Sequence, residues 1–520
     1  MMNRRFLLSI IICAFVSLTA AFSQDRQTRV ENGLVEAVSM YNDGEFSSAR
    51  KLLNSLVSLD PQNDAVCYYL GLCDFALRDM DGAESYLSRA LALDPGNYWY
   101  HDRLAAFYMA LNRVPQAIGV YEGMIKAFPR TSDPYYALVS LYARNNQGDK
   151  MLEVLDRIVE MSGESPQIFV MQGDANMASY EDSLALTYYE KALALDPEYA
   201  PAILGKAEAL RLQRRYDDYF DYLDKYISSD YVMPEGKSDY LQTLFHNMDG
   251  RFFQNFQPRL DSLASKVVTL HPQDSTVLQC VGSYYFNTGR LEEAKEHFRS
   301  NKELHPDSYG AAAMYVQFLS YSGDFQEMAE ECERAFQAFP YEPAFQEYKV
   351  IAYYSMQDYE SALRENEKII AMYPKDPERL LNAYSTGGDL YHRTGDMQKC
   401  YDCYEKALKI DPDNALCLNN YAYFMCLEGK KLNKALKMSK KAVELEPDNA
   451  SYLDTIGWIL HLKGKDEDAK TYFKRAMIYG GKDSYECLSH YAQVLEALKE
   501  TDLSKYYYDL AKEKQAEEEQ

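Results

Sequence analysis

Apolar positions in this chain recur every 34 residues, with small and large side chains in separate registers. One small register holds Ala49, Ala83, Ala117, Ala185, Ala294, Ala362, Ala435 and Ala469. A second, twelve residues earlier, holds Ala37, Gly71, Ala105, Gly173, Ala207, Gly282, Gly388, Ala422 and Gly457. Large residues fill fixed places around them, among them Leu70, Leu87, Tyr108, Tyr121, Tyr189, Phe298, Tyr404 and Phe473. Proline supplies a third register. Pro61, Pro95 and Pro129 are 34 apart, as are Pro272, Pro306, Pro340 and Pro374. Pro197 follows Pro129 at 68, twice 34, and Pro412 and Pro447 continue the register with small slips. Such a period predicts stacked helical hairpins. Small residues on both helices let the backbones close up where they cross; bulk there would cost about 1–3 kcal/mol. Asn42-Asp43-Gly44, Gly289 and Gly464 mark turns inside the hairpins. Asp60-Pro61, Asp94-Pro95, Asp196-Pro197 and Asp411-Pro412 end the second helix of a unit.

Two segments carry the pattern in full. Asp64 to Asn97 has Leu70-Gly71, Ala83, Leu87, Ala90 and Pro95; Ser451 to Met477 has Ile456-Gly457-Trp458, Ala469, Phe473 and Ala476. On these residues the chain resembles the tetratricopeptide-repeat family, over about residues 30–517 and in thirteen or fourteen units. The resemblance implies an all-α fold, a right-handed superhelical α-solenoid. Asn419-Asn420-Tyr421-Ala422-Tyr423, followed by Tyr452 to Trp458, further resembles envelope repeat proteins of Gram-negative bacteria.

The register falters between Arg214 and Pro258. Tyr219 takes a small-residue slot, seven extra residues precede Pro272, and Tyr231 to Gly236 reads as a loop. The run Arg251-Phe252-Phe253-Gln254-Asn255-Phe256 is unusually aromatic. Repeat drift with local repacking explains these features, and so does a hinge or contact between two arrays. The expected organisation is therefore a signal segment at 1–23 and an N-terminal array of about six repeats at 30–230. An irregular or degenerate segment at 231–274 follows, then a C-terminal array with a capping helix at 275–517.

In such solenoids the first helix of each hairpin lines the inner wall. The resemblance implies that the second, fifth, ninth and twelfth positions of each unit face it. Those positions hold the aromatics Tyr68, Phe75, Trp99, Tyr136, Phe286, Tyr354, Tyr423 and Trp458. They also hold the acids Glu31, Asp102, Asp133, Asp174, Glu208, Glu347, Asp389 and Asp454, against the single base Arg211. Acids beside aromatic rings suit a partner segment that is basic, or neutral with apolar anchors, through pairing and cation–π contact. Half of the aromatics are equally well explained as the edge of the core.

Composition agrees with this picture. With 47% hydrophobic and 26% charged residues, the chain has the means to fold. Its 79 acids against 55 bases give a formal charge of −24, which excludes a broad nucleic-acid or anionic-membrane surface. Tyrosine is in surplus, 46 against 22 Phe and 2 Trp, as expected when one large slot is copied many times. At the N-terminus, Arg4 and Arg5 precede an uncharged run from Phe6 to Phe22, and Ala21-Phe22-Ser23 offers a cleavage site before Gln24. That is a secretory signal pattern, with a retained anchor as the alternative. It implies export, to the periplasm or the periplasmic face of the outer membrane, with no membrane span after cleavage.

Chemistry is thin. The eight histidines form no metal-spaced cluster, and no nucleophile elbow, phosphate loop or dinucleotide motif occurs. Cys400-x-x-Cys403 with His392 nearby, and His246 with Asp249, are the arrangements to weigh; Cys400 falls on a packing slot. No cofactor is expected. The sequence thus implies a non-catalytic interaction scaffold of the envelope. A chaperone-like assembly factor is one alternative, and an enzyme or metal protein using the irregular middle is the other.

Overall fold

The structure, a computed structural model, describes residues 26–518; the signal segment at 1–23 lies outside them. Among the described residues there are twenty-eight α-helices and no strand. They follow one another as fourteen consecutive helix pairs. The first six are α1 (26–42) with α2 (Phe46–Leu59), α3 (Asp64–Ala76) with α4 (Met80–Leu93), and α5 (Tyr98–Ala110) with α6 (Val114–Ala127), then α7 (Asp133–Arg144) with α8 (Gly148–Ser162), α9 (Pro166–Ala178) with α10 (Asp182–Leu195), and α11 (Ala200–Leu212) with α12 (Tyr216–Ser228). The seventh is α13 (Pro234–Asn247) with α14 (Gly250–Leu270). Then come α15 (Ser275–Asn287) with α16 (Leu291–Leu304), α17 (Tyr309–Ser322) with α18 (Phe325–Ala338), α19 (Ala344–Ser355) with α20 (Tyr359–Met372), and α21 (Pro377–Arg393) with α22 (Met397–Ile410). The last three are α23 (Ala415–Leu427) with α24 (Leu432–Leu445), α25 (Ala450–Leu462) with α26 (Asp466–Ala476), and α27 (Tyr485–Ala497) with α28 (Thr501–Glu518). This is an all-α solenoid.

Two compact units divide it. The N-terminal unit runs to residue 233 and includes 255–266; the C-terminal unit holds 234–254 and everything from 267.

Each boundary has a local cause. First helices start on side-chain caps: Asn63 accepts from the Val66 N–H (2.9 Å), Ser308 from Ala311 (3.2 Å) and Asn414 from Cys417 (2.9 Å). Four second helices, α2, α4, α10 and α22, end on the Asp of Asp-Pro. The carboxylates of Asp60, Asp94, Asp196 and Asp411 each accept from the N–H two residues on, at 3.0–3.1 Å. Aspartate closes that turn while proline forbids another helical residue.

The turn inside most of these pairs holds a left-handed residue, the α13–α14 turn being an exception. Gly44, Arg78, Asn112, Asn146, Tyr180 and Arg214 fill it at 34-residue intervals, all with φ between +52 and +81°. Only Gly44 in that series avoids the Cβ penalty.

Hairpins lock through one size-matched pair. The small residue of a first helix faces a large one sixteen residues later. A Cβ built on Gly71 would lie 2.8 Å from Leu87, on Gly282 2.8 Å from Phe298, on Gly388 2.6 Å from Tyr404, and on Gly457 2.7 Å from Phe473. Where the second partner is smaller, the first grows: Val316 precedes Cys332 and Val350 precedes Asn366 by the same sixteen residues, all four buried. In these pairs the summed volume is held, as close packing requires, while Val139 with Leu155, both buried, is a bulkier exception.

The faltering segment is two consecutive helices. Its loop is shorter than expected, because α13 already begins at Pro234, a residue suited to a first helical turn. The seven extra residues lie in α14, which has 21 residues where α2 and α16 have 14. Pro258 sits inside α14 and leaves the Gln254 carbonyl without its helical donor, at the point where the helix passes from one unit to the other. The aromatic run divides likewise. Phe253 lies 6.4 Å from Tyr284, whereas Phe256 meets Tyr216 and Phe220 at 4.8 and 5.4 Å.

Candidate functional site

In the N-terminal unit the expected wall residues sit on the exposed side of α3, α5 and α7. Trp99 is 61% exposed, and Asp102 follows it three residues on, so both share one face of α5. Asp133 and the partly exposed Tyr136 repeat that spacing on α7. Tyr68 on α3 meets Tyr100 at 4.8 Å with the rings tilted by 31°, and Phe75 meets Phe107 edge-on at 5.8 Å. The charges here are lightly engaged. Asp102 is 3.9 Å from Arg103, and Asp133 accepts from the Ser132 hydroxyl at 3.3 Å. Burial and then the two carboxylates, Asp133 and Asp102, push the Tyr98 hydroxyl upward in pKa.

The other wall acids are already partnered. Asp174 accepts the Tyr189 hydroxyl at 2.7 Å, and crowding by protein raises its pKa. Glu208 takes both Nε (3.0 Å) and Nη2 (2.7 Å) of Arg211, so the single basic wall residue is paired. In the C-terminal unit Glu347 is bound by Arg379. Asp389 accepts from Tyr404 (2.5 Å) and Asn420 (3.4 Å), and burial pushes its pKa up. Asp454 pairs with His490 Nδ1 at 2.9 Å. Beside that pair, Trp458 stacks on His490 (4.1 Å) and on His461 (5.0 Å), and burial drives Tyr423 to about 12. Tyr354 meets Tyr359 edge-on at 5.6 Å. Asp174 and Glu208 in the N-terminal unit, and Glu347, Asp389 and Asp454 in the C-terminal unit, thus already accept from the protein's own donors.

The C-terminal unit also presents a cleft of about 440 Å³ over α13, α15 and α17. Of the expected residues it contains Phe286, which lies edge-on to Phe318 (6.0 Å) and Tyr321 (4.7 Å). Tyr321 is 71% exposed at the rim. Below them Phe245 stacks on Tyr284 at 4.1 Å. Gln242, Ser283, Asn287 and Gln317 supply neutral polar groups. Sequence reasoning missed these four. Ser283 and Gln317 occupy the ninth wall position but are neither charged nor aromatic, and Gln242 stood in the segment assigned no register. The interval from Gln242 to Ser283, 34 plus the seven extra residues, was the available signal. A smaller cleft of about 210 Å³ lies around Glu347 and Arg379.

The residues weighed for chemistry have structural employment. Asp249 caps α14, accepting from the Phe252 N–H at 2.7 Å, while His246 lines the cleft. Cys400 and Cys403 are buried thiols, and burial pushes Cys400 up to about 12. Among the described residues, no three His, Cys, Asp or Glu side chains are grouped to hold a metal ion. No described helix is long and apolar enough to cross a membrane.

Comparison with known proteins places these features. Models of the tetratricopeptide repeat match residues 41–100, 74–142, 381–414 and 403–437. A TPR repeat-containing protein of Methanocaldococcus jannaschii is 20% identical over 265 residues, 51% of this chain and 40% of that protein. The human protein O-mannosyl-transferase TMTC1 is 23% identical over 167 residues, 30% of this chain and 18% of that protein. The chain thus spans less than half the length of the curated relatives it matches. A solved structure titled "Structure of Naa15/Naa10 bound to HypK-THB" aligns with 93% of this chain and 75% of its own, at 16% identity and a TM-score of 0.38.

Proposed function

Because this chain belongs to the tetratricopeptide-repeat family, we propose that it is a non-catalytic scaffold that grips a partner's polypeptide segment on the aromatic and acidic inner wall formed by its first helices. The family binds protein partners and is generally non-catalytic. The observation that carries the reading is the patch of the N-terminal unit: a tryptophan 61% exposed, flanked by Asp102 and, one repeat on, by Asp133. Water gains nothing from that indole, whereas a lysine or arginine side chain gains the ring face and both carboxylates. The segment taken there is basic, or neutral with apolar anchors.

Fluorescence anisotropy with two capped decapeptides, one alternating lysine and leucine and one alternating glutamate and leucine, tests the sign. The lysine peptide should bind at least tenfold tighter at low salt and weaken as salt rises. Asp102→Asn with Asp133→Asn should abolish the difference. Tighter capture of the glutamate peptide would overturn the reading. The N-terminal pattern from Arg4 to Ser23 supports export to the bacterial envelope. Fractionation of a Gram-negative host, with the mature N-terminus read by mass spectrometry, should find the protein in the periplasm beginning near Gln24.

A further inference from the structure

The cleft of the C-terminal unit differs in kind from the patch just described. No Asp, Glu, Lys or Arg is among the described residues that line it, in a chain of net charge −24. Its floor is aromatic, and its polar groups are three side-chain amides, the Ser283 hydroxyl and the His246 ring, beside two tyrosines and Cys280. An ionised side chain seated over that floor would give up part of its hydration and meet no Asp, Glu, Lys or Arg among the lining residues; Asp239 belongs to the adjoining cleft around Gln242 and His246. The polar groups also follow the repeat. Gln242, Ser283 and Gln317 hold the same position on α13, α15 and α17, so they form a row across three neighbouring first helices. Packed helices lie about 8–10 Å apart. The row therefore spans roughly 20 Å, about six residues of an extended strand at 3.3 Å each. Amide side chains at that spacing can pair with backbone N–H and C=O groups whatever the sequence.

We infer that this cleft takes an uncharged, extended segment of a partner protein, seating one bulky apolar side chain against Phe286, Phe318 and Tyr321 while Gln242, Ser283 and Gln317 hold its backbone. The inference rests on the scaffold reading and assigns it a second site of opposite electrostatic character.

The test is panning of a phage-displayed library of random 12-residue segments on the full chain, followed by anisotropy with the capped peptide of the most enriched sequence. Gln242→Glu and Gln317→Lys place opposite charges at exposed positions, where neither threatens folding. Expected are segments with one Trp, Phe or Leu among uncharged neighbours, bound at least tenfold more weakly by both variants and unaffected by Asp102→Asn. N-acetyltryptophanamide alone should bind at least a hundredfold more weakly than the peptide. Enriched segments with charged anchors, or binding indifferent to both cleft variants, would overturn this inference and leave the scaffold reading standing. N-acetyltryptophanamide binding as tightly as the peptide would make the cleft a small-molecule pocket and overturn it too. Enrichment of no segment would sink both readings.

Discussion

Replacing Gly173 by alanine should destabilise the chain locally, although alanine is the better helix former. Tyr189 is 1% exposed and stands between two glycines on neighbouring first helices, Gly173 on α9 and Gly205 on α11. A Cβ on Gly173 would lie 2.5 Å from the ring, with further ring atoms at 2.8 and 2.9 Å. Relief would need a shift of about 1 Å to reach ordinary packing distance. Moving away from α9 drives the ring onto Gly205, whose own Cβ position is equally blocked, and pulls its hydroxyl from Asp174. The cost therefore belongs at the upper end for overpacking, about 3 kcal/mol. Alanine returns about 1 kcal/mol of helix propensity, leaving a net loss of about 2 kcal/mol. Gly119 in α6 is the control. A Cβ there meets nothing within 4 Å, so Gly119→Ala should gain about 1 kcal/mol. Because stability in repeat arrays is local, amide hydrogen exchange read by mass spectrometry is the assay. Peptides from α9–α11 should exchange roughly 30-fold faster in Gly173→Ala, and those from α6 roughly fivefold slower in Gly119→Ala. Adding Tyr189→Leu should recover part of the loss, since Ala207 and Leu223 occupy these two slots one repeat later. If Gly173→Ala leaves exchange unchanged or slows it, the size-matched pair is not what locks the hairpins.

Tyr180 takes a left-handed turn at φ +61° and is 90% exposed, so Tyr180→Gly should stabilise that hairpin by about 1 kcal/mol in a thermal melt; a lower melting temperature would contradict this. Burial opposes the charge of Glu327, but bonds from Tyr315, Lys295 and Arg299 outweigh it and hold the carboxyl at about 2, below its ordinary 4.5. Its folded pKa is the lower one, so its contribution is present above about pH 5 and is lost as pH falls towards 2. Exchange in α16–α18 should accelerate over that range, and Glu327→Gln should flatten the dependence. All nine described cysteines are buried, with Cys280, Cys332, Cys400 and Cys426 pushed to about 12 by burial. None should take up a maleimide in the native protein at neutral pH, and all should react in denaturant; mass spectrometry counts the adducts.

The hairpins were legible because their causes are local and repeated. Asp-Pro reports a turn that only proline and a short carboxylate satisfy together, and Gly71 or Gly457 reports a ring or leucine across the hairpin. The turn slot was only half legible. Glycine marks it at Gly44 and Gly464, but Tyr180 and Arg78 adopt the same backbone without looking like turn residues. Wall acids were found by position, yet their partners were not, because Glu347 and Arg379 are 32 residues apart and periodicity does not pair charges. The tyrosine surplus also had a second cause. Hydroxyls of Tyr142, Tyr401 and Tyr421 donate to Glu122, Glu428 and Glu405, so phenylalanine would fill the slot and leave a carboxylate unserved. The cleft was hidden by the lost register, since a neutral glutamine becomes visible only when its phase is known.

The two added turns of α14 set a rule for how such a chain can lengthen. Each residue rotates the path by about 100°, so seven residues advance it by about 700°, only about 20° short of two whole rotations. The insertion moves the chain about 10 Å along the helix axis and leaves its heading almost unchanged. An insertion of three or four residues would swing every later helix by tens of degrees, and that error would persist through each hairpin downstream. Indels in this chain are thus graded by angle rather than by length. A deletion of seven residues from α14 is expected to be milder than a deletion of three.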